Sequence, residues 1–430
     1  MIGAFIQKIK LTFADKALRS RIFFVLGALA LFRILATIPV PGVDAAQLSE
    51  FLNNNQFFGL MNLFSGGGLS NLSIVMLGVG PYITASIIMQ LMSIMSPRIK
   101  ALYTEEGEAG RQKFTQYSRM LTVPLAFVQA FGFLMLLSRQ GIVAELTPFS
   151  FIVNVTVVAA GSILLMWVGE LISEFGIGNG VSLLIFAGIV ASLPTTAINM
   201  YQTFDISQIP VYIVFVVVAV LVTAAVVVIT EAERPVPVTY AKQVRGGKSY
   251  GGVSTYLPLR VNQAGVIPII FALSIILFPQ MILSFLESSS NTGLQETAGM
   301  LLAYFNNQWV YGGLYFVLVF FFTYFYTAVT FDPNSISTNL QKSGAFVPGV
   351  RPGGQTAEYL GNIITRITLV GAMFLGIIAI FPLIMTGITT AYGVTSAGQF
   401  AIGGTALLIA VSVVLDLVRK VDAQISIREY

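Results

Sequence analysis

The 430-residue chain contains no cysteine and no histidine. Their absence removes disulfides, thiolate chemistry, haem ligation by histidine and nearly all zinc sites. It also removes the histidine base of a serine protease and the paired histidines of a membrane zinc protease. Charge is scarce as well: charged residues make up 10% of the chain, against about 25% in a soluble domain. No GxxxxGK[ST] phosphate loop or GxGD aspartyl motif occurs, and the one GxSxG match, Gly247 to Gly251, lies in a glycine-rich loop of a chain with no histidine to serve as base. No cofactor or metal is expected, and an enzyme is disfavoured.

What remains is apolar. Hydrophobic residues reach 56%, above the roughly 45–50% of soluble domains even with glycine counted. The alternation of an outer-membrane barrel is missing, so helices are left to satisfy the backbone in lipid. A bilayer core takes about 20 mostly apolar residues per helix. On that criterion ten spans are expected, near 22–38, 73–95, 120–138, 149–169, 177–193, 209–230, 264–286, 309–329, 363–387 and 396–418, the fifth short and the second interrupted by Gly78, Gly80 and Pro81. The fold class is thus all-α and polytopic. The N-terminus is basic, but the apolar run after it has no small-residue cleavage site and reads as a retained first span.

Cations set the orientation, because cytoplasmic loops collect lysine and arginine. Lys8, Lys10, Lys16, Arg19 and Arg21 precede span one; Arg98, Lys100, Arg111, Lys113 and Arg119 follow span two. Arg234, Lys242, Arg245, Lys248 and Arg260 follow span six, and Lys342 and Arg351 follow span eight. All fall on one side under a ten-span count, together with Arg419, Lys420 and Arg428. Both termini are therefore expected in the cytoplasm of a plasma-membrane protein.

Two cytoplasmic loops, 231–262 and 331–360, far exceed the usual connection of about 4–6 residues. The first carries two glycine pairs among β-formers and reads as a short hairpin. The second contains KSGAFVPGVRPGGQT, a Pro-Gly finger that cannot run as a helix. These loops either hold charge for topology or form a docking surface. Charges inside spans are few: Arg33, Glu170, Arg366 and Asp416, most within snorkelling reach of an interface. The segment FSGGGLSNLS, residues 64–73, is either an external loop or a re-entrant piece covered by protein.

These motifs resemble the SecY family, the channel subunits of the bacterial protein-translocation complex. The resemblance rests on NLFSGGGLSNLSI, GVGPYITASIIMQLM, EFGIGNGVSLLIFAGIV, PLRVNQAGVIPIIFA and NLQKSGAFVPGVRPGGQTAEYL, and covers nearly the whole chain. It implies two inverted halves of five spans, residues 1–195 and 196–430, around an hourglass pore. It implies a protein-conducting channel that also releases transmembrane segments sideways into lipid. A secondary transporter of small solutes is the alternative, and would need clustered polar or ionic groups at the midplane.

Residue by residue, the resemblance implies a waist of Val79, Ile83, Ile185, Ile270 and Ile409, where an apolar constriction resists ions by dewetting. It implies a plug of Phe64, Ser65, Gly66, Gly67, Gly68, Leu69, Ser70 and Asn71, beneath the waist on the outer side and drawn from the low-stability end of the structure. Spans two and three would face spans seven and eight across a lateral gate. There Thr84, Gln90 and Ser274 are expected to bond between helices, or else are ordinary packing residues. Arg351, Lys342, Lys242, Arg245 and Lys248 would dock the SecA motor or the ribosome, although an arginine pair common in the family reads Gly247–Lys248 here. Further implied partners are SecE, SecG, signal sequences, nascent polypeptides and membrane lipids.

Overall fold

The computed structural model describes residues 15–41, 62, 65, 67–69, 71–104, 106–139, 147–202, 209–241, 243–245, 248–250, 254–287, 292–391 and 403–429. In chain order the helices are α1 (Lys16–Leu35), α2 (Gly80–Met95), α3 (Pro97–Thr104), α4 (Gly107–Arg139), α5 (Pro148–Phe175), α6 (Gly180–Gln202) and α7 (Ile209–Glu231). Four strands come next: β1 (Glu233–Tyr240), β2 (Gln243–Arg245), β3 (Lys248–Tyr250) and β4 (Ser254–Arg260). Then come α8 (Ile267–Glu287), α9 (Thr292–Asn306), α10 (Gln308–Thr330), α11 (Pro333–Lys342), β5 (Ala345–Phe346), α12 (Gly354–Ala391) and α13 (Gly403–Glu429).

Local chemistry sets the helix starts. The Asp15 side chain accepts from the Ala17 amide at 2.9 Å and opens α1. Thr147 caps α5 by accepting from the Ser150 amide at 3.3 Å, with Pro148 in the first turn, where no amide partner is needed. Asp332 accepts from the Asn334 amide at 3.0 Å and starts α11, with Pro333 behind it. Five of the described helices are long and apolar enough to cross a bilayer, beginning at Gly107, Pro148, Tyr212, Trp309 and Gly354. The protein is a multi-pass, mostly helical membrane protein.

The second expected span is corrected at its start. Residues 74–79 are turns, and helix begins only at Gly80. Gly78 sits at φ +58°, a left-handed conformation that ends regular helix, and Pro81 is tolerated because it falls in the first turn of α2. A helix that the span count omits, α9, packs Ala298 and Leu302 inward against α8 and α10.

Packing groups α1, α5 and α6, and α2, α4 and α5, in the first half of the sequence. In the second half α8, α10, α12, α13 and α7 form a chain of neighbours. The two groups meet where α8 lies against α2 and α4, and where α6 lies against α13. One large apolar cluster crosses both meeting points.

Candidate functional site

The five expected waist residues share that central cluster. Val79, Ile185, Ile270 and Ile409 are buried in it, and Ile83 packs against it. They arrive from four helices. Val79 caps α2, and its carbonyl accepts the Ile83 amide at 3.1 Å, so the two stand one turn apart. Ile270 lies in the first turn of α8, Ile185 in the second turn of α6 and Ile409 in the second turn of α13. The helix α6 is seated against α5 by glycine. A Cβ at Gly180 would strike the Gly169 carbonyl, and the Gly180 amide donates to Ser173 Oγ at 2.8 Å. This close approach fixes the depth of Ile185. Sequence reasoning passed over Gly169 and Gly180; a glycine amid branched residues within a span was the available signal.

At the junction of α2 with α8 the expected interhelical hydrogen bonds are replaced by bonds within each helix. Thr84 Oγ1 donates to the Gly80 carbonyl at 3.0 Å, and Ser274 Oγ to the Ile270 carbonyl at 2.9 Å. Gln90 Nε2 reaches Ser86 Oγ at 3.4 Å, while its Oε1 is buried without a hydrogen-bond partner. A hydroxyl one turn after a helix carbonyl can share that carbonyl with the backbone amide and so satisfies itself locally, which removes the need for a partner helix. Among the described residues, the bonds of these three side chains stay within their own helices.

Of the glycine-rich segment, Ser65, Gly67, Gly68, Leu69 and Asn71 are described; Phe64, Gly66 and Ser70 lie outside the described residues. Ser65 Oγ accepts the Leu69 amide at 3.1 Å, and the Ser73 amide donates to the Gly68 carbonyl at 2.8 Å. Leu69 and Leu72 are buried in a second apolar cluster with Val40, Ala126, Phe133, Val155 and Val158. Ile74 touches both clusters. The segment is clipped to the chain after α1. The Val40 amide donates to Leu72 at 2.8 Å, the Ile74 amide to Ile38 at 3.0 Å, and Asn71 Nδ2 to Ala36 at 3.4 Å.

The two long loops fold together. Strand β1 pairs antiparallel with β4, from Glu233 opposite Arg260 to Thr239 opposite Ser254. On its other edge β1 takes β5, with Thr239 opposite Phe346 and Tyr240 opposite Ala345. Pro235 and Pro237 lie where β1 has only one neighbour, so a missing amide donor is tolerated. Val236, Val238, Leu259, Ala345, Val347, Leu360 and Ile364 form a third apolar cluster beneath this sheet. The finger is held rigid: Ser337 Oγ donates to the Gly353 carbonyl at 2.6 Å and Thr356 Oγ1 to the Arg351 carbonyl at 2.8 Å. Gly344, Gly349 and Gly353 all take positive φ, which the tight path requires. Arg351 and Lys342 are exposed. Arg245 and Lys248 face each other in the β2–β3 hairpin, and Lys242 lies outside the described residues. Past the apolar stretch of α10, Ser335 Oγ donates to Asp332 at 2.7 Å. That bond, helped by the Asn334 and Ser335 amides and the Lys100 charge against a burial effect of opposite sign, holds the Asp332 carboxyl below its ordinary value.

Two of the sparse span charges are paired. Arg119 Nε meets Glu170 Oε1 at 2.6 Å between α4 and α5, and Lys420 meets Asp416 at 2.7 Å within α13.

Apolar helices from both halves of the sequence meet in one large apolar cluster, with a small sheet joining the two long loops, and define a polytopic helical membrane fold. That fold is shared with a solved structure described as a protein conducting channel, at TM-score 0.62 and 19% identity, covering 93% of this chain and 91% of the other. Sec61 in a canine ribosome-channel complex from the endoplasmic reticulum aligns at TM-score 0.59, also at 19% identity and with the same coverage. The SecY family model matches residues 73–418. A protein translocase subunit SecY of Corynebacterium glutamicum is 43% identical, over 96% of each chain. One from Streptomyces coelicolor is 40% identical over 97% of each. The chain belongs to the SecY family.

Proposed function

We propose that this chain is a protein-conducting channel, which passes unfolded polypeptides across the bacterial plasma membrane and releases apolar segments sideways into lipid. Family membership supports the reading, and one observation carries the mechanism: the five aliphatic side chains from both halves of the sequence gather in a single cluster. A branched aliphatic collar offers no hydrogen-bond preference, so it accommodates any passing side chain. It also dewets, which hinders ions without a charged barrier. A solute transporter instead concentrates polar or ionic groups at its midplane, and these five residues supply none.

In this reading ten helices cross the membrane: α1, α2, α4, α5, α6, α7, α8, α10, α12 and α13. They form two halves, 1–195 and 196–430, with both termini cytoplasmic as the lysine and arginine bias directs. The contacts of α8 with α2 and α4 form the seam. With Thr84, Gln90 and Ser274 bonded within their own helices, an apolar segment entering the seam breaks none of their hydrogen bonds. Leucine gains about 0.3–0.6 kcal/mol per residue at the helix centre, whereas one aspartate or lysine loses about 2.5–3.5. Lipid thereby sorts the substrate. SecE and SecG are the proposed small membrane subunits.

Serine at Ile83, Ile185 and Ile270 together tests the collar. Resting ion conductance in planar bilayers should rise several-fold over the parent; unchanged conductance refutes the assignment.

The joined loops support docking of a cytosolic partner, the SecA motor or the ribosome. Sheet pairing holds Arg351 out on a rigid frame, and a guanidinium pairs bidentately with carboxylate or phosphate. Arg351→Glu should abolish motor-driven transport while the protein still inserts. Normal SecA-dependent transport by that variant would remove Arg351 from the docking face.

A further inference from the structure

Helix α5 touches both strands of the clip that carries the glycine-rich segment, and it does so through two unusual residues. Gly161 is the first. It is buried inside a helix, where glycine is a poor choice. A Cβ built there would collide with the Ile74 carbonyl oxygen and lie 2.9 Å from the Ile74 carbonyl carbon. The chain at Ile74 thus rests directly on the α5 backbone. Asn154, buried two turns earlier, is the second. Its Nδ2 donates to the Pro41 carbonyl at 3.3 Å.

Between these contacts the two strands are bridged at Pro39 and Ser73, with hydrogen bonds from Val40 to Leu72 and from Ile74 to Ile38. Leu72 occupies φ +38°, a left-handed conformation that a bulky side chain adopts only when its surroundings impose it. Those surroundings are identifiable. The Leu72 amide donates to Leu69, its carbonyl accepts from Val40, and its side chain is buried against α4 and α5. Ser73 is fully buried and passes so close to Gly68 that a Cβ at Gly68 would lie 2.8 Å from Ser73 Oγ. The clip therefore holds a strained residue in place, and α5 backs the clip.

From this we infer that Gly161 and Asn154 of α5 are positioning residues for the channel seal: they seat residues 36–41 and 71–75 and so hold the glycine-rich segment closed. The inference rests on reading residues 64–71 as the plug. Gly161 provides the flat surface against which the Ile74 carbonyl lies. Asn154 fixes the opposite strand at Pro41. Removing either contact lets the strained turn at Leu72 relax and the segment leave its cluster.

Resting conductance of the full translocase in planar bilayers tests this with Gly161→Ala, Asn154→Leu and a deletion of residues 66–71. Gly161→Ala adds one methyl and improves helix propensity, so a simple loss of α5 stability is not its expected effect. Both substitutions should raise resting conductance several-fold at unchanged membrane levels. The deletion alone should leak too, and neither substitution should add to it in the deleted background. A silent Gly161→Ala and a silent Asn154→Leu, with a leaky deletion, overturn the inference and leave the plug reading intact. A silent deletion overturns the plug reading. Equal added leak with and without residues 66–71 assigns Gly161 to general packing and also overturns the inference. Should Gly161→Ala fail to assemble, Asn154→Leu decides alone.

Discussion

Helices α5 and α7 are both long, apolar and free of charge through their centres, yet the protein treats them in opposite ways. Half of the apolar window of α5 is buried (50%), against 12% for α7, although α7 is the more hydrophobic of the two. Burial here does not follow hydrophobicity, because lipid tails are as apolar as leucine and give helices no apolar reason to associate. Composition explains the difference. The buried face of α5 includes Asn154, Ala159, Gly161, Ser162 and Gly169, which allow backbones to approach closely. The exposed face of α7 is branched and aliphatic, with Ile213, Val214, Val217, Val220 and Leu221 uncovered. Glycine costs about 0.8–1 kcal/mol per position in a helix, so α5 gives up helix propensity to gain contact with its neighbours. Helix α7 carries β-branched valines, which also lower helix propensity, but gains little contact from them and leaves most of its surface uncovered.

Substitutions on the two sides should break or sharpen that contrast. The largest effect is expected where α5 meets α6. Gly180→Val would drive a branched side chain into the Gly169 carbonyl, a backbone atom with no freedom to yield. The loss should exceed the roughly 1–3 kcal/mol of ordinary overpacking, seen as failure to recover folded protein after detergent extraction. A parental melting profile for this variant would contradict the seating of α6. Alanine at Gly161 ranks next and is read as resting leak rather than as loss of fold, because the opposing strand at Ile74 can move where the Gly169 backbone cannot. The smallest effect belongs to α7. Val217→Leu should change stability by less than about 0.5 kcal/mol, as at other positions lacking close contacts. A large shift in melting temperature there would mean that a partner, not lipid, covers this face.

The helical body is legible in the sequence because hydropathy over about 20 residues reads length and polarity directly. Other features turn on dihedral angles or distant pairing. The stretch before Gly80 reads as helix because Val75, Met76, Leu77 and Val79 are apolar, while the positive φ of Gly78 leaves no trace in a hydropathy window. Helix α9 escapes a span count because its sequence, TGLQETAGMLLAYFN, is too polar and short. Its buried Ala298 and Leu302, four residues apart, are the available signal. Thr84 and Ser274 carry hydroxyls that could reach across helices, yet each finds a carbonyl one turn away. The waist residues come from motif resemblance alone, since one isoleucine in a span looks like any other. The pairing of β1 with β5 joins residues about a hundred positions apart, and nothing local to either loop announces it.

That pairing makes the end of the bundle that carries the sheet a lever rather than a tether. Strand β1 continues from α7, with the Ala232 amide still bonded to Val228, and β4 leads toward α8. Strand β5 follows α10 and α11 and precedes α12. A load placed on the Arg351 finger passes through the shared sheet to the ends of α7, α8, α10 and α12 together. Under the proposed docking, a partner gripping this handle would act on much of the second half of the bundle as one piece, close to where α8 meets the first half.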